Sequence, residues 1–229
     1  MAKFPFPSPS DLQAFLCSPE ERESLGRPPR FGRLATRIVE GTSLSYLDGI
    51  TFYGTQEYFT TYCNRRGTIL ASAPDLYHAQ KQGSPLLDQV HDDLAEGYIA
   101  TSTSLRVRLK GPSFSGQVAH YWKTKGGRPR RSLEMPLPSN LVPLKALLST
   151  PDGLRFIQKA FWTKDDGRSV LCTLERLLQD RDCILVIRPG EWQPRNPVCL
   201  HRGVISFGDS TRGGFPTFAY TIPPWEAAR

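Results

Sequence analysis

The chain lacks every feature that would carry it across or through a membrane by an ordinary route. No segment approaches the roughly 20 apolar residues of a spanning helix. Met1-Ala2-Lys3-Phe4-Pro5-Phe6-Pro7 has no apolar h-region and no cleavage-site pattern. A soluble protein with no membrane span and no signal peptide, cytoplasmic or host-intracellular, is therefore expected. Cysteine is sparse: Cys17, Cys63, Cys172, Cys183 and Cys199 are odd in number and widely scattered. No CxxC or Cys/His cluster has zinc-ligand spacing, so no metal is implied and free, mostly buried thiols are expected. A Walker A loop, a dinucleotide-binding GxGxxG and a Gly-x-Ser-x-Gly elbow are all missing. Acidic charge is the scarcer sign, 22 Asp and Glu against 29 Lys and Arg, for a net charge of +7. That balance favours polyanionic partners such as nucleic acid, acidic lipid or a phosphate-bearing cofactor, with a solvated basic surface as the plain alternative.

What is present can build a core. Hydrophobic residues make up 39% of the 229-residue chain and aromatics 10%, enough for one sizeable domain. The 20 prolines and 19 glycines favour many short elements over a few long helices. The expected class is α+β with a strand majority. Residues 1–30 read as an N-terminal arm, partly ordered, and residues 31–229 as a single α+β domain with an inserted or appended helical region at about 140–180.

Local patterns fill in this outline. Residues 31–39 read as a strand and 42–49 as a helical turn or two ending at Gly49. A helix over 88–96 leads into a strand over 97–108, and 115–124 returns as its hairpin partner because Val118, His120 and Trp122 alternate with polar or small residues. Helices are expected near 141–148 and, as one or a broken pair, over 152–179. A capping box at Thr150-Pro151-Asp152 and the spacing of Leu154, Ile157 and Phe161 support the second. Residues 183–187 read as a buried strand. Residues 204–207 and 215–222 read as a hairpin around Asp209-Ser210-Thr211-Arg212-Gly213-Gly214.

The chemistry concentrates in two segments. Leu76-Tyr77-His78-Ala79 is followed by Gly97-Tyr98-Ile99-Ala100-Thr101-Ser102-Thr103-Ser104-Leu105-Arg106. A Ser/Thr ladder in a strand suits the wall of a polar ligand pocket, although the β-propensity of Thr accounts for part of it. Ahead of these lie Arg33-Leu34-Ala35-Thr36-Arg37 and Gly54-Thr55-Gln56-Glu57-Tyr58-Phe59. The order resembles the A-chain family of cholera toxin and heat-labile enterotoxin, which are ADP-ribosyltransferases, over roughly residues 33–108. The resemblance implies a strand-rich split sheet, with added helices in the second half of this chain, and NAD as substrate.

By the same resemblance, Arg33 clamps the cofactor diphosphate, as a guanidinium fork pairs bidentately with phosphate. His78 contacts ribose, and Thr101 and Ser102 shape the nicotinamide pocket. A carboxylate then stabilises the oxocarbenium-like transition state, as in glycosidases; Glu134 and Glu191 are the candidates. Two departures stand out. Ala100 replaces the first Ser of the family's Ser-Thr-Ser, and no Glu-x-Glu follows the ladder. Two readings therefore stay open: an NAD-dependent ADP-ribosyltransferase or NAD glycohydrolase acting on a protein or nucleic-acid target, or an inactive relative serving as a basic interaction module of viral or effector type.

A separate signal is the basic run Lys123, Lys125, Arg128, Arg130 and Arg131 beside Tyr121 and Trp122. Cations interleaved with aromatics are the pattern of single-stranded nucleic-acid binders, so polyanion binding is a further expectation.

Overall fold

The computed structural model describes residues 45–46, 59, 63, 69–110, 113–120, 133–135, 141–188, 196–208 and 217–222. Strands β1 (Ser45–Tyr46) and β2 (Ile69–Leu70) precede helices α1 (Ala73–Gln82) and α2 (Leu87–Glu96). Then come β3 (Tyr98–Lys110), β4 (Ser113–Ala119), β5 (Leu133–Met135) and β6 (Leu141–Pro143). Helices α3 (Leu144–Leu148), α4 (Pro151–Ala160) and α5 (Gly167–Leu177) follow. Strands β7 (Ile184–Arg188), β8 (Asn196–His201), β9 (Val204–Gly208) and β10 (Thr217–Ile222) complete the described elements. The class is a mixed α+β fold, and the helical region expected at about 140–180 is occupied by α3, α4 and α5.

All ten strands join one sheet, ordered β1-β10-β3-β8-β9-β7-β6, with β2 also on β10, β4 on β3 and β5 on β4. Two pairings are parallel, β10 with β3 and β7 with β9. The helix over 88–96 and the long strand after it form where the sequence places them. The antiparallel return, expected over 115–124, runs as β4 from Ser113 to Ala119 and stops short of His120, and residues 121–124 lie outside the described residues.

Five local expectations are corrected. Ser45 and Tyr46 are not helical: they pair with Thr221 and Tyr220 of β10. Residues 141–143 form a strand on β7 before α3 begins. Pro143 explains that split, because it has no N–H to give a helix and holds Val142 extended. Thr150 does cap α4, accepting from the Gly153 amide, with Pro151 in the first turn. The cap is one-sided, since the third helical position is Gly153, where a Cβ would collide with the Leu147 carbonyl. Strand β7 is buried on one face only: Cys183 and Leu185 are covered while Ile184 and Val186 are half-buried.

The last correction is the largest. Strands β9 and β10 are not a hairpin. β9 pairs with β7 and β8, whereas β10 lies between β1 and β2 on one edge and β3 on the other. All six residues of β10 are buried, and a strand covered on both faces belongs inside a sheet rather than at a peripheral hairpin.

The two faces of the sheet differ in chemistry. Side chains alternate along a strand, and one face carries Ile99, Val198, Leu200, Ile205, Phe207, Phe218, Tyr220 and Ile222. These join Leu76, Val90, Leu94, Phe156 and Leu174 of the helices in one core. The other face carries Ala100, Ser102, Ser104, Cys199, Ser206, Thr217, Ala219 and Thr221. All of these are buried, yet none belongs to that core. The register agrees: Cys199 is opposite Ala100 and Ser206, and Ala219 is opposite Ala100.

Candidate functional site on the Ser/Thr segment of β3

The ladder sits where β3 changes neighbours. Residues 98–100 pair with β10 and residues 104–110 with β4. On the opposite edge the register with β8 slips between Ala100 and Ser104. A bulge of this kind frees backbone groups that side chains must take over. Thr101 does so by donating its hydroxyl to the Val198 carbonyl at 2.6 Å. The gap between β10 and β4 is filled by the lead-in to α1: the Ser102 amide donates to the Ala71 carbonyl at 2.8 Å, and the Ala73 amide donates to Thr103 Oγ1 at 2.9 Å. Helix α1 starts here because Ser72 and Asp75 form a reciprocal capping box, with Pro74 in the first turn.

Thr103 continues the network inward to His120. Its Oγ1 lies 3.0 Å from His120 Nδ1, and His120 Nε2 lies 3.0 Å from the Lys159 carbonyl. A carbonyl can only accept, so Nε2 carries the proton, Nδ1 is bare, and the Thr103 hydroxyl donates to it. Burial pushes the imidazole down to about 4, against the Lys159 carbonyl, which favours the charged form. His120 is therefore neutral at neutral pH and acts as a fixed acceptor and donor, not as a proton shuttle. The Trp162 ring covers it at a centroid distance of 5.5 Å.

His78 lies on α1, half-buried, and its Nε2 donates to the Trp162 carbonyl at 3.2 Å. Its neighbours on the helix grip the same loop after α4. Tyr77 donates to Asp165 at 2.7 Å, and Lys81 reaches Asp165 at 2.9 Å. Burial, with the Asp165 carboxylate, raises the Tyr77 phenol to about 12. Partial burial would raise Asp165, but hydrogen bonds from Lys81, Tyr77 and Thr163 outweigh it and hold the carboxyl low. His78 thus ties a helix to a loop.

Two hydroxyls have no such employment. Ser102 and Ser104 are each 1% exposed, and Oγ of each has no hydrogen-bond partner among the described residues. Both point to the small-residue face, whereas Thr101 and Thr103 point to the helix face. The pair Thr101 and Ser102 is thus divided between two faces, and Ser104 takes the place beside Ser102. Sequence reasoning offered Ser104, with Ser102, as the substitute for the hydroxyl missing at Ala100, and it missed His120 as a site residue. The i, i+2 spacing from Ser102 is the signal for Ser104; His120 stood inside an alternating run, between Val118 and Trp122, with nothing to distinguish it.

Glu134 is opposite Ser115, which is opposite Arg108 of β3. Its backbone is two strand spacings from β3, roughly 9.5 Å, and about 13 Å along from Ser104, so the register does not bring it to the two serines. Arg33, Glu191, Lys123, Lys125, Arg128, Arg130 and Arg131 lie outside the described residues. Glu191 comes shortly ahead of Asn196, whose backbone pairs with Leu105. The buried carboxylates in the described residues are committed: Asp75 to its cap, and Asp93 to Tyr220 and Gln89. Of the cysteines, Cys63, Cys183 and Cys199 are buried and Cys172 is exposed, and none of these four is in a disulfide. Among the described residues no group of three or more His, Cys, Asp or Glu could hold a metal ion, and no helix is long and apolar enough to cross a membrane. Compared with family models, characterised proteins and solved structures, the chain matches none.

Proposed function

We propose that the chain binds NAD along the small-residue face of β3 and acts as an ADP-ribosyltransferase or NAD glycohydrolase, with a protein or nucleic-acid acceptor. The observation that carries this reading is the pair of buried, unpartnered hydroxyls of Ser102 and Ser104. A buried polar group without a partner costs about 1–3 kcal/mol, and native proteins keep such groups chiefly where a ligand or water completes them. A carboxamide offers both a donor and an acceptor to two adjacent hydroxyls. In this reading Arg33 holds the diphosphate. The transition-state carboxylate falls to Glu191 in preference to Glu134, because the sheet register separates Glu134 from the serines.

The test separates binding from folding. Removing an unsatisfied buried hydroxyl relieves desolvation, so Ser102→Ala and Ser104→Ala should leave the melting temperature unchanged or higher. The double variant should lose NAD affinity by about tenfold or more, the equivalent of one to two hydrogen bonds. Wild-type protein should release nicotinamide from NAD, and Arg33→Ala should abolish that release. Calorimetry with no NAD binding at millimolar concentration would sink the proposal. The inactive-relative reading is favoured by Ala100 and by the remote Glu134; its outcome is NAD binding or a captured partner with no nicotinamide released.

A further inference from the structure

A concavity of about 600 Å³ lies at the C-terminal end of α5. Arg176, Arg181 and Arg202 line it, all three are exposed, and none is ion-paired to a described residue. It is separate from the β3 face. Arg202 follows the end of β8 opposite to Pro197, the residue paired with Ser104, and the strand between them spans about 16 Å.

The backbone converges deliberately on this place. Helix α5 ends in a Schellman motif, with the Asp180 amide on the Glu175 carbonyl and the Gln179 amide on the Arg176 carbonyl. Its left-handed position is held by Gln179, at φ 52°, where glycine is the favoured residue. Such strain in a non-glycine residue recurs at functional sites, and Gln179 itself lines the cavity. Gly203 holds the turn between β8 and β9 at φ 67°, a left-handed position that favours glycine, and a Cβ there would also crowd the Asp180 side chain. Its amide donates to the Leu178 carbonyl at 2.9 Å. The carbonyls at this helix end are therefore occupied, which mutes the negative end of the dipole.

From this arrangement we infer a binding site for a phosphate-bearing small molecule, with Arg176, Arg181 and Arg202 as the anion contacts. A guanidinium fork pairs bidentately with phosphate oxygens, and three of them line this one concavity with no ion pair to a described residue. Glu175 and Asp180 share the lining but leave a net positive charge. Asp180 accepts from the Asp182 amide at 2.9 Å through one oxygen.

Cys172, an exposed thiol on the same wall, provides a local reporter. Inorganic pyrophosphate is the probe, and the readout is the alkylation rate of Cys172, followed by peptide mapping in the intact protein. Pyrophosphate should slow alkylation at Cys172 several-fold and saturably. Arg176→Ala with Arg202→Ala should weaken the half-protecting concentration by about tenfold or more, at an unchanged melting temperature. Protection caused by pyrophosphate bound at the basic run 123–131 would persist undiminished in the double variant, so the two sources are told apart. An alkylation rate indifferent to pyrophosphate, or protection that persists undiminished in the double variant, overturns the inference.

Discussion

His120 shows how a single residue can be chemically prominent and yet structural in its demands. Its ring is buried, neutral, and bonded on both nitrogens, to Thr103 and to the Lys159 carbonyl. Its folded pKa of about 4 lies below the ordinary 6.5, so between these values the unfolded chain holds more protons than the native one. Stability from this group is thus fully present above about pH 6.5 and is lost as pH falls toward 4, by ~3 kcal/mol in all. Asp93 works the other way. Burial raises its pKa against the hydrogen bonds of Tyr220 and Gln89, so its contribution is present at low pH and shrinks as pH rises past the ordinary carboxylate range. The informative readout is therefore the difference between wild type and His120→Gln in urea denaturation at pH 7 and pH 4.5. The variant should be less stable at pH 7, by roughly 1–3 kcal/mol for a disturbed buried network, and the gap should narrow markedly at pH 4.5. A gap that is the same at both pH values would mean that His120 titrates normally.

The helix ends show what element-scale signals the sequence carries and what it hides. α1, α4 and α5 all close with Schellman hydrogen bonds, yet the left-handed residues are Gly83, Trp162 and Gln179 respectively. Gly83 reads directly from sequence as a stop. Trp162 does not, which is why residues 152–179 left one helix and two equally open. The Trp162 position is held from outside, by His78 on its carbonyl and by His120 against its ring. These two replacements should therefore part company. Gln179→Gly relieves about 1–2 kcal/mol of left-handed strain and returns roughly 0.5–1 kcal/mol through the freer unfolded chain, for a small net gain. Trp162→Gly gains the same relief but uncovers His120 and loses a ring contact of about 0.5–1.5 kcal/mol besides its buried area, so it should destabilise. Denaturation midpoints of the two variants on opposite sides of wild type are the expected result; both moving down would refute the strain argument at Gln179.

At the scale of the whole molecule, short-range patterns were legible and long-range pairing was not. The 97–108 strand, its return strand and the α2 helix follow from alternation, helical spacing and capping that act within a few residues. The place of β10 depends on residues more than a hundred positions earlier: Phe218 and Ala219 pair with Ile99 and Ala100, and Tyr220 donates to Asp93 on α2 at 2.7 Å. A glycine-rich turn signal at 209–214 argues only for proximity in sequence, and the burial of every β10 residue overrode it. The same blindness applies to the site. Thr101 and Ser102 look equivalent in sequence, and only the bulge beside β8 shows that one hydroxyl closes a backbone gap while the other is left without a partner. The position of β10 makes a whole-molecule prediction. A peripheral hairpin strand could be removed and leave a folded remainder; an interior strand cannot. Ending the chain at Gly208 would strip β3 of a parallel neighbour, leave β1 and β2 with nothing to pair on, and expose Phe218's and Tyr220's places in the core beside Ile99 and Leu94. Such a chain should show no cooperative urea transition, and its amides on β3 should exchange with solvent as fast as those of an unfolded chain. A cooperative transition in the shortened protein, with β3 still protected, would mean that the sheet closes without β10.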